Sequence, residues 1–142
     1  MRRRVTTGGA REAVSQPVVL LVEDEPLLRS TTSEYLRLSG YVVVEATDAA
    51  EAIGVIDRGE GLDVVFSDVS LPGAVDGLGL ARWLRHRQPD LQVVLTSGYG
   101  EAVRRAAIEL VGGDHFVPKP YHQEELAHRI DALLGTDRVA TD

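Results

Sequence analysis

With 142 residues, 44% of them hydrophobic and 26% charged, the chain has the size and balance of one ordinary globular domain, which excludes collagen-like, coiled-coil and wholly disordered architectures. Fifteen Lys and Arg against 22 Asp and Glu give a net charge of −7, and four of the arginines fall in the first sixteen residues, so the body is more acidic still and disfavours nucleic-acid phosphates. Zero Cys excludes disulfides and zinc-thiolate sites, no apolar run approaches the ~20 residues needed to span a bilayer, and the arginine-rich start lacks the apolar stretch of a secretory signal, so a cytoplasmic protein is expected.

Residues 1–16 carry no apolar periodicity and are expected to form a disordered tail, with one domain over 17–135 and a short tail over 136–142. From Val18 onward, short apolar runs alternate with helical patterns. The runs Val18 to Val22, Tyr41 to Val44, Asp63 to Phe66, Leu91 to Leu95 and His115 to Val117 are apolar on successive residues, as in strands buried on both faces. Between and after them, helices are predicted over 26–39, opened by Pro26 and stopped by Gly40, over 48–58 with Asp48 as cap, over 76–87 ahead of Pro89, and over 101–111 and 122–134. Five strands, each too far from the next for a hairpin, predict a doubly wound α/β fold: a five-stranded parallel sheet with helices on both faces.

Ligands of such sheets bind beyond the carboxyl ends of the strands, so the residues just after each run are informative. They are Glu23, Asp24 and Glu25 after the first, Asp68 after the third, Thr96 and Ser97 after the fourth, and Lys119 after the fifth. Singly, each has a structural explanation: acids ahead of a helix favour its dipole, Asp68 can start a turn, Thr96 can cap a helix, and Lys119 can be solvated. Together they are harder to explain that way, because converging carboxylates repel unless a cation lies among them. Mg²⁺ takes one or two carboxylates together with waters and phosphate oxygens, so the set points to a metal site that receives a phosphoryl group.

Val19-Leu20-Leu21-Val22-Glu23-Asp24-Glu25-Pro26, Val65-Phe66-Ser67-Asp68-Val69-Ser70-Leu71-Pro72-Gly73, Leu95-Thr96-Ser97-Gly98 and Phe116-Val117-Pro118-Lys119-Pro120-Tyr121 together resemble the response-regulator receiver domain of two-component signalling over residues 17 to about 135. That resemblance implies a flavodoxin-like sheet of order 2-1-3-4-5 and a phosphoryl group accepted on Asp68 from a sensor or hybrid histidine kinase, or from a histidine phosphotransfer protein. It further implies Mg²⁺, with Mn²⁺ as a substitute, held by Glu23, Asp24, Asp68 and the Ser70 backbone carbonyl. Lys119 becomes the phosphoryl clamp, Thr96 the hydroxyl partner, and Thr96 with Phe116 the switch pair, although Phe116 equally suits plain core filling. A protein partner would read a surface formed by the fourth helix, fifth strand and fifth helix. No nucleic acid or membrane partner, no output domain, a monomer or weak homodimer, and signalling rather than enzymatic turnover complete the expectation.

The pattern departs from the family at Glu23, where Asp is commoner, and in a Gly73 to Gly77 loop that is one residue longer than usual. Two alternatives stand beside this reading: a docking module that needs no phosphate, and a small-substrate phosphatase working through an aspartyl phosphate. The phosphatase is disfavoured because Ser70 occupies the place of its second catalytic acid. A partial Gly98-x-Gly100 lacks the third glycine of a dinucleotide fingerprint, His86, His115, His122 and His128 share no ligand spacing, and Trp83, Tyr99 and Ala102 are candidates for a partner face, with packing the commoner role of a lone tryptophan.

Overall fold

Every residue of Val18–Val22 is buried, and its neighbours face opposite ways. Val19 and Leu21 join a core with Leu36, Leu126 and Ile130, whereas Leu20 and Val22 join another with Ala52, Ile56, Leu80 and Leu84. This two-sided burial is why the run is apolar without alternation. Each fully buried Leu or Val contributes about 1.5–3 kcal/mol.

The computed structural model describes residues 4–5, 13–14, 16–98 and 100–135. Strands β1 (Val18–Val22), β2 (Val42–Ala46), β3 (Val64–Asp68), β4 (Gln92–Ser97) and β5 (Phe116–Pro118) form one parallel sheet in the order β2-β1-β3-β4-β5. Helices α1 (Pro26–Leu38) and α5 (Gln123–Leu134) cover one face; α2 (Ala49–Asp57), α3 (Gly77–Arg87) and α4 (Glu101–Val111) cover the other. The predicted fold class and strand order are therefore present. Among the described residues no helix is long and apolar enough to cross a membrane.

Local chemistry sets the helix ends. Pro26 starts α1, the Asp48 carboxylate accepts the Glu51 N–H at 2.8 Å, and the Asp76 carboxylate accepts the Gly79 N–H at 2.9 Å. Strands β3 and β4 each run two residues beyond their apolar runs. Ser67, Asp68, Thr96 and Ser97 are polar yet buried and still paired in the sheet, so hydrophobicity alone stops short of the true ends.

Most of the expected N-terminal tail, and all of 136–142, lie outside the described residues. Within the former, Arg4–Val5 pairs antiparallel with Ala13–Val14, apart from the main sheet, where sequence patterning predicts no structure.

Candidate functional site

The register of the sheet brings the predicted site residues to one edge. Ser67 pairs with Val22, Asp68 with Thr96, Thr96 with Val117, and Ser97 with Pro118. Beyond the strands, the Val69 amide donates to the Thr96 carbonyl at 2.8 Å and the Lys119 amide to the Ser97 carbonyl at 3.0 Å, so the ladder extends into the loops that carry the chemistry.

Glu23, Asp24 and Asp68 converge so that one carboxylate oxygen from each lies within 4.8 Å of the others. Glu23 and Asp68 are buried, whereas Asp24 faces solvent. Lys119 lies against the two buried acids, its Nζ 2.6 Å from Asp68 Oδ2 and 3.2 Å from Glu23 Oε1. Burial opposes the Lys119 charge, but the hydrogen bond and charge of Asp68, then those of Glu23, outweigh it and hold the ammonium above the ordinary lysine range. For Glu23, burial pushes the carboxyl up and the Asp68 charge adds to it, while the Glu25 amide and Lys119 offset only part. Glu23 thus disfavours its own negative charge, and the three acids offer hard oxygen donors that could hold a metal ion.

Thr96 Oγ1 is buried beside Asp68 and has no hydrogen-bond partner among the described residues. A buried hydroxyl left unpaired costs about 1–3 kcal/mol, so the site holds an unused donor. Ser70 meets the site through its amide, which donates to Asp68 Oδ1 at 3.0 Å. Phe116 is 4% exposed and packs with Val69, Ala81, Leu95 and Ala107, so in this conformation its ring already occupies the core.

Three further contacts bear on the site and are invisible to motif reading. Gly77 is packed so closely under the end of β3 that a Cβ there would lie 2.1 Å from the Asp68 carbonyl oxygen. Tyr121, edge-on to Phe66 with ring centroids 5.6 Å apart, places its hydroxyl 3.1 Å from Thr32 Oγ1 and so ties the loop after Lys119 to α1. Arg29 donates from Nη1 to the Glu23 carbonyl at 2.9 Å and from Nε to Glu45 Oε1 at 3.2 Å. The signal that could have pointed to Arg29 is its place near the start of α1, where a cation opposes the helix dipole and needs a partner.

The remaining candidates resolve differently. Trp83 packs against the α2–α3 side of the core with the Arg87 guanidinium over its ring at 4.9 Å, His86 Nδ1 lies 3.0 Å from the Arg82 carbonyl, and His115 Nε2 lies 2.8 Å from Gln92 Oε1. Ala102 is exposed, and Tyr99 lies outside the described residues.

A family model for the response regulator receiver domain matches residues 19–131. The probable transcriptional regulatory protein TcrX of Mycobacterium tuberculosis is 39% identical over 132 residues, which are 92% of this chain and 56% of that protein. The sensor kinase CckA of Brucella abortus is 34% identical over 88% of this chain, covering 13% of its own length. Among solved structures, the non-phosphorylated HemR receiver domain from Leptospira biflexa superposes with a TM-score of 0.74 at 31% identity, covering 84% of this chain and 94% of that one. The chain thus spans little more than half of one curated relative and a small part of the other.

Proposed function

Because the chain belongs to the response regulator receiver domain family, we propose that Asp68 is a phosphoacceptor, charged from a phosphohistidine of a sensor or hybrid histidine kinase or of a histidine phosphotransfer protein. One observation carries this reading: Asp68, paired to the Lys119 ammonium at 2.6 Å, stands in a three-acid cluster next to a buried, unpartnered Thr96 hydroxyl. A plain structural ion pair needs neither the extra acids nor the idle hydroxyl.

In this reading an Asp68 carboxylate oxygen attacks phosphorus in line, the P–N bond to the histidine breaks, and the imidazole leaves as Asp68 becomes an acyl phosphate. The Ser70 amide orients the carboxylate before attack. Lys119, held protonated, passes its charge from the Asp68 carboxylate to the phosphoryl oxygens, and Thr96 finds in them the acceptor it lacks. Glu23, Asp24, Asp68 and the Ser70 carbonyl would hold Mg²⁺, or Mn²⁺ in its place, which when bound neutralises charge on those oxygens.

The product adds roughly −1.5 to −2 charges at the sheet edge. With Thr96 drawn toward it, the neighbouring face of α4, β5 and α5 is the surface a protein partner would read. The role is signalling, one phosphoryl group per chain, by a monomer or weak homodimer. Intact mass before and after Mg²⁺ and acetyl phosphate is the test. A single labile phosphoryl adduct, absent in Asp68→Asn, is expected; no adduct on the unmodified sequence would overturn the reading in favour of phosphate-independent docking.

A further inference from the structure

Arg29 occupies the fourth position of α1, where the helix dipole repels a cation, yet its side chain is only 19% exposed. Its guanidinium reaches back to the strand-to-helix loop rather than out to solvent. Nη1 donates to the Glu23 carbonyl oxygen at 2.9 Å, and Nε to Glu45 Oε1 at 3.2 Å. Glu45 is in turn held from three directions. Besides Arg29, the buried Ser33 hydroxyl donates to its Oε2 at 2.8 Å and Arg37 Nη1 lies 3.3 Å from the same oxygen, Arg37 being itself anchored through Nη2 to the Val43 carbonyl at 3.0 Å. Burial alone would raise the Glu45 carboxyl, but the Ser33 hydrogen bond and the two arginines hold it below the ordinary glutamate range.

The Glu23 carbonyl belongs to the peptide that joins Glu23 to Asp24, two of the three acids of the site. Glu23 is thus held at both of its backbone groups: its amide, in the preceding peptide, donates to the Ala46 carbonyl of β2 at 3.0 Å, and its carbonyl accepts from Arg29. Both grips originate in the Glu45-Ala46 end of β2, so the edge strand and α1 together set where the two acids stand.

We propose that Arg29, locked by Glu45, is a positioning residue that fixes the Glu23-Asp24 peptide for divalent cation binding. The inference rests on reading the three-acid cluster as a Mg²⁺ site. Position and charge make opposite demands here. A cation beside the acids repels Mg²⁺, so if Arg29 acted only through its charge, keeping that charge would change nothing and removing it would tighten binding. A two-point guanidinium fork is instead specific to Arg, and a lysine ammonium in its place cannot bridge the Glu23 carbonyl and Glu45 in the same geometry.

The test is Mg²⁺ titration of the full chain by calorimetry, with urea unfolding in parallel, for the unmodified sequence, Arg29→Lys, Arg29→Gln, Glu45→Gln and Arg37→Lys. Second-sphere partners of metal sites are worth roughly 10–100-fold in affinity. About tenfold weaker binding is expected for Arg29→Lys and Glu45→Gln, and no tightening for Arg29→Gln. Arg37→Lys shares the Glu45 contact without touching the acid loop, so its Mg²⁺ affinity is expected to hold within twofold even where its urea midpoint falls. Equal Mg²⁺ binding by Arg29→Lys and the unmodified chain, or tighter binding by Arg29→Gln, overturns the inference and leaves the metal site standing. No Mg²⁺ binding by the unmodified chain overturns the reading of the site, and the inference with it.

Discussion

Gly77 stands so close beneath Asp68 that a single added methyl carbon would lie 2.1 Å from the Asp68 carbonyl oxygen and 2.6 Å from Val69 Cα. Both neighbours are backbone, and the Gly77 amide also donates to the Val69 carbonyl at 2.8 Å, so neither side has a flexible end that could yield. The start of α3 is thereby pressed against the last residue of β3.

Gly77→Ala must therefore displace either α3 or the Asp68 backbone. Overpacking of this kind costs about 1–3 kcal/mol, and the displaced Asp68 loses its alignment with Lys119 and the Ser70 amide. The expected result is a lower urea midpoint together with slower phosphoryl incorporation from acetyl phosphate. A variant as stable and as readily modified as the parent would show that the contact relaxes at no cost.

Thr96→Val removes a buried hydroxyl that has no partner among the described residues and leaves the branched shape in place. The unphosphorylated chain is expected to gain about 1 kcal/mol of stability, because an unsatisfied donor disappears. The same change removes the group that meets the phosphoryl oxygens, so the amide shifts that phosphorylation induces along α4 and β5 should shrink. Urea unfolding checks the first part and NMR of the phosphorylated chain the second. Loss of stability in Thr96→Val would mean that the hydroxyl has a partner in solution.

Burial, reinforced by the nearby Arg129 guanidinium and only partly countered by Asp114, pushes the His115 imidazole below its ordinary range. The neutral ring is thus favoured in the folded chain, where Nε2 meets Gln92 Oε1 at 2.8 Å. Stability from this group is fully present above the unfolded histidine value of about 6.5 and is lost as pH falls through the lower folded value. The urea midpoint of the parent should decline as pH drops from 7 toward 5.5. His115→Gln, which cannot titrate, should decline less over that window; parallel curves would remove His115 as a source of the pH dependence.

The site was more legible than its support. Glu23, Asp24, Asp68, Thr96 and Lys119 follow within two residues of runs of Val, Leu and Phe, and a parallel sheet brings the ends of such runs to one edge whatever the details of packing. The strand limits were blurred at the same places, since Ser67 and Thr96 satisfy the sheet with their backbones while their side chains break the apolar pattern. Edge strand β2 was displaced for a related reason: Tyr41 is buried but precedes the strand, while Glu45 is charged but lies within it, answered by Arg29, Ser33 and Arg37. Gly77 reads in the sequence as one more loop glycine. Only the approach of α3 to β3 shows that no other side chain fits there.

Lys119 is the single lysine of the chain, set among fourteen arginines. A guanidinium is not an amine, so the side-chain amine chemistry of this sequence is concentrated on one atom, and that atom lies against Asp68 and Glu23. An ammonium-selective ¹⁵N signal is then a local reporter without any engineered label. It reads, at a single nitrogen, whether the carboxylate beside it is free, metal-bound or esterified.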